Sequence, residues 1–128
     1  MHQHSCFLCL GSNFKRHTHI TMAHEALKHY FPDILFGKEM TTEAIGEDIL
    51  SPFSNQIIHI YTHYNLNEIQ TILKDIERHA ERLPEDKMNG IVKLDIDILI
   101  YDKQIIKAND LKRDFVLKGL KELEKKMC

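Results

Sequence analysis

Residues 93–101 read KLDIDILIY, and this alternating stretch determines how the rest of the chain is arranged. Successive side chains of a strand point to opposite faces, so the pattern predicts a strand with one apolar face. That face would carry Leu94, Ile96, Ile98 and Ile100. The other face would carry Lys93, Asp95, Asp97, Leu99 and Tyr101. The stretch therefore predicts a sheet on which two carboxylates stand side by side.

The segment before this strand is predicted to be an amphipathic helix. Asn65 and Glu68 have the spacing of a capping box at a helix start. The apolar residues that follow recur at intervals of three and four, namely Leu66, Ile69, Ile72, Leu73, Ile76 and Ala80. A segment with Pro, Asn and Gly, from Leu83 to Gly90, is the predicted loop between this helix and the strand.

The first half of the chain shows the same alternation of strands and helices. The predicted elements are a strand at 6–10, a helix at 20–31, strands that begin at 34 and 57, and, after the strand at 91–101, a terminal helix at 110–126. This order is that of an α+β, ferredoxin-like βαββαβ fold with an antiparallel sheet, helices on one face, and an added C-terminal helix. The other face of the sheet is then available to bind a ligand.

Composition limits the classes of function. The chain has 128 residues, 43% of them hydrophobic, which is enough for one domain spanning residues 1–128 with a single core. A formal net charge of -2 gives no general attraction to nucleic acid or anionic lipid. No apolar run reaches the roughly 18 residues that cross a bilayer, and three cysteines without a secretory signal indicate reduced thiols. We expect a soluble cytoplasmic monomer whose partners are small molecules.

Two interpretations of Asp95 and Asp97 remain open from periodicity alone. Adjacent like charges repel, and a hard divalent cation such as Mg²⁺, shared with phosphate oxygens, makes the arrangement favourable. The alternative is a solvated strand face on which Lys93 offsets part of the charge.

Other candidate residues are individually weak signals. Gly11-Ser12-Asn13 is either a turn beside a ligand or an ordinary helix start, and Phe53 with Asn55 suits either a flat heterocycle or an anchored loop. Arg82 and Lys87 flank a segment that could act as a lid over phosphates. A zinc site at Cys6 and Cys9 is rejected because residues three apart on a strand face opposite ways. The histidines, including the same-face pair His59 and His63, are read as ordinary side chains.

Taken in order, five short motifs resemble one enzyme family. They are Leu10-Gly11-Ser12-Asn13, Thr42 with Ile45-Gly46, Phe53-x-Asn55, Ile76-Glu77, and Leu94-Asp95-Ile96-Asp97-Ile98-Leu99. Together they resemble the 6-hydroxymethyl-7,8-dihydropterin pyrophosphokinases, from about Phe7 to Leu123. That family has a ferredoxin-like fold and transfers pyrophosphate from ATP to a reduced pterin in folate biosynthesis.

The resemblance implies a role for each matching residue. Asp95 and Asp97 would bind two Mg²⁺ ions with ATP, and Arg82 would act beside them in catalysis. The implied substrate-binding residues are Gly11, Ser12, Thr42, Ile45, Phe53, Asn55 and Phe115. The implied nucleotide-binding residues are Glu77, Arg82, Ile98 and Arg113.

Two departures from the family pattern keep other functions open. Val92 stands where the family pattern has an arginine, and a Pro-His segment is missing between Lys107 and Lys112. These departures favour a catalytically impaired pterin-binding module of the same fold. A third alternative is a ferredoxin-like domain whose exposed sheet binds a protein.

Overall fold

The computed structural model describes residues 3–42, 52–81 and 83–127, and the elements below are those of this part of the chain. The strands are β1 (His4–Ser12), β2 (Ile34–Phe36), β3 (Met40–Thr42), β4 (Phe53–Thr62), β5 (Asp95–Tyr101) and β6 (Gln104–Ile105). The helices are α1 (Arg16–Tyr30), α2 (Leu66–His79) and α3 (Asp114–Met127). Short 3-10 turns lie at Pro84–Asp86 and Asp110–Lys112.

The strands form one antiparallel sheet in the order β2-β4-β1-β5-β6, with β3 also paired to β4. The central pair is the longest, since β1 and β4 are in register from His4 opposite Thr62 to Ser12 opposite Ser54. Each crossover, through α1 and through α2, leaves room for one strand between the two that it connects. The predicted ferredoxin-like α+β fold is confirmed.

The main core lies between the sheet and the helices α1 and α2. Its buried side chains include Leu8, Leu10, Ile58 and Ile60 of the central strands, Leu27 of α1 and Ile69 of α2. The capping box predicted for α2 is present, because Asn65 Oδ1 accepts from Glu68 N at 2.9 Å and Glu68 Oε1 accepts from Asn65 N at 2.9 Å. Within the described ranges, the helices are too short or too polar to span a membrane.

Helix α3 packs on the opposite face of the sheet, which the sequence left free for a ligand. Val116, Leu120 and Leu123 join Phe7, Ile57 and Leu99 in a second, smaller cluster. The approach is close because residue 119 is glycine: a Cβ placed there would lie 2.4 Å from Ile57 Cγ1. The expectation of an open face is therefore wrong for the half of the sheet that α3 covers.

A β-bulge in β5 changes which face of the sheet its last two side chains point to. The pairing of β1 with β5 shifts between Phe7 and Leu8, so that Phe7 pairs with Ile100 but Leu8 pairs with Ile98. The extra residue reverses the alternation after Leu99. Consequently Ile100 packs in the α3 cluster and Tyr101 packs against the main core, opposite to the sequence prediction.

Candidate functional site

The half of the sheet that α3 leaves uncovered holds a pocket of about 380 Å³. We call it the phenylalanine pocket after Phe53 and Phe115. Its lining comes from β1, β4, the loop before β5, β5 itself, and the start of α3 with the segment that leads into it: Cys9, Gly11, Phe53, Asn55, Val92, Asp95, Asp97, Asp110, Arg113, Phe115 and Val116. Seven of the predicted site residues therefore meet in one pocket.

The floor of the phenylalanine pocket is formed where β1 and β4 pair. Gly11 lies opposite Asn55 in the register, and a Cβ on Gly11 would sit 3.5 Å from Asn55 Oδ1. Asn55 is only 5% exposed, and its Nδ2 donates to Thr42 Oγ1 at 2.7 Å. This bond fixes the amide, so that Oδ1 is the atom nearest to the position above Gly11.

The aromatic and cationic part of the pocket lies at the start of α3, where Phe115 is in the helix and Arg113 directly precedes it. The guanidinium carbon of Arg113 lies 4.4 Å from the centre of the Phe115 ring, which is a cation–π contact. Arg113 N also donates to the carbonyl of Asp110 at 3.1 Å. The docking of α3 on the sheet therefore positions both Arg113 and Phe115 at the pocket.

The side chains of Asp95 and Asp97 on β5 share a hydrogen bond. Burial, the charge of Asp95 and this hydrogen bond raise the pKa of Asp97 to about 6, while Lys107 acts in the opposite direction. Cys9 is opposite Asp97 in the strand register, and burial with nearby carboxylates raises the pKa of its thiol to about 12. Burial is the largest cause of both shifts, and the Cys9 thiol is therefore unreactive.

A second pocket of about 370 Å³ lies on the other side of the same carboxylates. We call it the lysine pocket after Lys74 and Lys107. It is also lined by Gln70, Leu73, Glu77, Asp95, Ile96, Asp97, Ile98 and Ile106. Glu77 Oε2 accepts from the backbone N of Ile96 at 2.7 Å, which fastens α2 to the edge of β5. The predicted nucleotide residues Glu77 and Ile98 thus lie here, and Arg113 lies in the phenylalanine pocket.

The loop before β5 is fastened at two points. Asn13 Nδ2 donates to the carbonyl of Gly90 at 2.7 Å, and Asn13 Oδ1 accepts from Val92 N at 2.6 Å. Lys93 Nζ lies 3.3 Å from the buried Asp86 carboxylate and donates to the Glu81 carbonyl at 2.8 Å. The alternative in which Lys93 offsets part of the charge of Asp95 and Asp97 is therefore wrong, because the loop holds its ammonium group.

The remaining predicted residues divide into two groups. Ser12 and Thr42 are described but line neither pocket. Ser12 is fully buried and its hydroxyl donates to the Phe14 carbonyl at 3.3 Å, while Thr42 Oγ1 accepts the hydrogen bond from Asn55 Nδ2. Ile45 and Arg82 lie outside the described residues.

Sequence reasoning missed several residues of the two pockets. Cys9, Asp110 and Val116 line the phenylalanine pocket, and Lys74 and Lys107 line the lysine pocket. The spacing of Cys9 and Asp97 on apolar strands could have placed them together only if the register had been known. For Lys107 the sequence carried no signal, since it lies between a short strand and a turn.

The donor set for a metal ion is small. Within residues 3–42, 52–81 and 83–127, no three His, Cys, Asp or Glu side chains are grouped so as to hold an ion on their own. Asp95 and Asp97 supply hard oxygen donors of the kind that Mg²⁺ prefers, and that ion usually keeps waters and substrate phosphates as its other ligands. The pair therefore fits an ion that arrives with a phosphorylated ligand. Cys6 and Cys9 belong to clusters on opposite faces of the sheet, so their side chains point apart, as the sequence predicted when a zinc site was rejected.

A known protein family matches nearly the whole chain. The model of the 7,8-dihydro-6-hydroxymethylpterin-pyrophosphokinase family matches residues 7–125. A search of curated proteins gives no match. Among solved structures, the solution structure of the C-terminal domain of the MgtC protein from Mycobacterium tuberculosis is 7% identical, with a TM-score of 0.41. That alignment covers 74% of this chain and 86% of the other.

Proposed function

The chain belongs to the 7,8-dihydro-6-hydroxymethylpterin-pyrophosphokinase family, and on this premise we propose that it transfers pyrophosphate from ATP to 6-hydroxymethyl-7,8-dihydropterin with Mg²⁺. The observation that carries the proposal is the position of Asp95 and Asp97. These two residues line both the phenylalanine pocket and the lysine pocket. A site that joins two substrates needs this arrangement, because the reacting groups must meet at one point.

The phenylalanine pocket suits the pterin. Phe53 and Phe115 provide ring faces for a flat heterocycle, and the oriented Asn55 Oδ1 can accept a hydrogen bond from its edge. Gly11 leaves the floor open beneath it. Since Asn55 and Thr42 are bonded to each other, the recognition of the edge would depend on both residues.

The lysine pocket suits the triphosphate. Lys74 and Lys107 bring two positive charges beside Asp97 and Glu77, and such charges offset those of the phosphates. Arg113 at the phenylalanine pocket would add a planar guanidinium, which can bind two phosphate oxygens at once.

The chemistry would consist of positioning and charge stabilisation. The pterin hydroxyl oxygen attacks the β-phosphorus, the bond from that phosphorus to the α-phosphate oxygen breaks, and AMP leaves while the hydroxyl proton passes to solvent. Asp95 and Asp97 would hold Mg²⁺, which when bound neutralises charge on the phosphates. Lys107 and Arg113 would hold the nucleotide in line with the hydroxyl.

A second candidate function is that of a pterin-binding module without turnover. Val92 lines the phenylalanine pocket at the position where the family pattern has an arginine, so one expected phosphate contact is replaced by an apolar side chain. Such a module would still bind the pterin in the phenylalanine pocket but would not bind ATP productively.

The test is the formation of AMP by the purified chain from ATP, Mg²⁺ and the pterin. We expect AMP only when the pterin is present, and we expect it to stop when EDTA removes the metal. Asp95→Asn should abolish it and leave the melting temperature unchanged or higher, because the like-charge repulsion at Asp97 is relieved. The matched control is Asp75→Asn on the exposed surface of α2, which should retain full activity.

Two results would contradict the proposal. If AMP still forms in Asp95→Asn, the carboxylates have no essential part in the reaction. A folded chain whose melting temperature rises with the pterin but that releases no AMP would instead support the binding module, because a ligand that binds the native state raises its stability by mass action.

A further inference from the structure

A third pocket, of about 500 Å³, lies at the other end of the sheet. We call it the tyrosine pocket after Tyr30, Tyr61 and Tyr64. It forms where α1 ends and where β4 ends beside the start of β1. Tyr61 is six residues from Asn55 along β4, a distance of about 20 Å at the rise of a strand. The tyrosine pocket is therefore separate from the proposed reaction site.

The walls of the tyrosine pocket are held in place by their neighbours. Tyr64 packs edge to face on Phe31 with ring centres 6.1 Å apart, and Tyr61 packs in the same way on His59 at 4.5 Å. The backbone is fixed as well, since Tyr61 N donates to the Asp33 carbonyl at 3.1 Å. Tyr61 and Tyr64 are nevertheless 38% and 36% exposed, so part of each ring is open to a ligand.

The charges around the tyrosine pocket favour a cation. Its titratable groups other than the tyrosines are Asp33 and His63, and the described lining contains neither lysine nor arginine. The pocket also lies at the C-terminal end of α1, where the helix macrodipole is negative. Lys28, in the last turn of α1, lies 5.9 Å from the centre of the Phe36 ring, which is not part of the lining.

We propose that the tyrosine pocket binds a small organic cation of the alkylammonium class. The faces of aromatic rings attract cations, and groups of tyrosine rings with a nearby carboxylate are suited to quaternary ammonium groups. Three of the four tyrosines of the chain line this pocket. This inference does not depend on the proposed pyrophosphokinase activity, because it uses none of its residues.

The experiment is a titration of the purified chain with choline, followed by tyrosine fluorescence. The chain has no tryptophan, so the signal comes largely from the tyrosine pocket. The neutral isostere 3,3-dimethyl-1-butanol has the same shape without the charge. We expect saturable binding of choline and none of the isostere.

Variants assign the signal to this pocket. Asp33→Asn and Tyr61→Leu should each weaken choline binding, by roughly threefold to thirtyfold, the range expected for one cation–π or charge contact. Tyr101→Phe removes a tyrosine outside the pocket and Phe115→Leu alters the phenylalanine pocket, and neither should change the affinity. Circular dichroism and melting temperature show that each variant is folded.

The inference would be overturned by no saturation with choline, by equal binding of the neutral isostere, or by unchanged affinity in folded Asp33→Asn and Tyr61→Leu. A loss of affinity confined to Phe115→Leu would place the cation in the phenylalanine pocket, and would also overturn it.

Discussion

Gly11 shows how a single missing side chain shapes the proposed pterin site. A Cβ at this position would meet Asn55 Oδ1 at 3.5 Å and Phe53 Cδ1 at 3.9 Å, which are ordinary contacts. Gly11→Ala should therefore fold normally, but the methyl group would occupy the floor of the phenylalanine pocket. We expect the pterin to bind roughly tenfold more weakly or worse, with an unchanged or higher melting temperature. Calorimetry that gives equal pterin affinity would show that the ligand does not approach Gly11.

The hydrogen bond from Asn55 to Thr42 orients the Asn55 amide, and substitutions of Thr42 test this role. Thr42→Val keeps the shape of the side chain and removes the oxygen that accepts from Asn55 Nδ2. With the amide released, pterin binding should weaken by about fivefold, the effect of one neutral hydrogen bond of about 1 kcal/mol. The affinity for ATP should stay the same. Thr42→Ser restores an acceptor and should recover most of the pterin affinity, and a failure of this recovery would contradict a positioning role for Thr42.

Individual residues show what a sequence can and cannot reveal about a site. Side-chain type and alternation correctly indicated that Asp95 and Asp97 share a face, because both depend only on the chain itself. The alternative in which Lys93 offsets the charge of Asp95 and Asp97 was wrong, because Lys93 pairs with Asp86 through a fold of the loop that periodicity does not describe. Cys9 was missed because its position opposite Asp97 depends on the register of two strands, which the sequence pattern does not give.

At the scale of elements, α3 carries two residues of the proposed site and depends on Gly119 for its position. Gly119→Val would force the new side chain against Ile57, which is fully buried. We expect a loss of stability of about 1 to 3 kcal/mol, typical of an overpacked core. Pterin binding should weaken as well, because Phe115 and Arg113 move with the helix.

Lys118→Val is the matched control for this prediction. It introduces the same side chain one residue earlier, on the exposed side of α3, so it reproduces the lower helix propensity of valine without the clash. Urea unfolding of both variants measures the difference. Equal stability of the two would show that α3 does not dock closely on β4.

Elements were predicted best where a strong period came with a clear start signal. Helix α2 has both, and its capping box is present in the structure. The bulge in β5 could not be predicted, because Leu99 and Ile100 are both apolar and suit either face of the sheet. The covering of the second face by α3 was also missed, since an amphipathic pattern shows that a helix packs but not which surface it packs on.

At the scale of the whole molecule, His59 couples stability to pH. It is 2% exposed, bonds to Ser5 Oγ at 2.7 Å, and burial lowers its pKa below the usual 6.5. The unfolded chain therefore takes up a proton near pH 6.5 that the folded chain takes up only at lower pH. The contribution of His59 to the free energy of unfolding is full above pH 6.5 and decreases as the pH falls below it.

Asp97 acts in the opposite sense. Its pKa is raised from 3.8 to about 6, so between these values the folded chain holds the extra proton and gains stability as the pH falls. Urea unfolding from pH 8 to pH 5 should therefore be compared between the wild type and His59→Gln. The decrease assigned to His59 should disappear in the variant and persist in the control His79→Gln on the surface of α2. Parallel curves for wild type and His59→Gln would refute this assignment.

The close contact between α3 and β4 also restricts how this protein can change over generations. A side chain at position 119 would overlap that of Ile57, so residue 119 cannot become larger while residue 57 stays isoleucine. A larger residue at 119 needs a smaller residue at 57 first. Ile57→Ala would remove Cγ1, the atom 2.4 Å from the new Cβ, and would leave Cβ at 3.0 Å, so Gly119→Ala would then need a shift of only a few tenths of an ångström. The order of such substitutions is then fixed. Residue 57 must become smaller before residue 119 becomes larger, and the intermediate with a cavity at position 57 is a less stable protein.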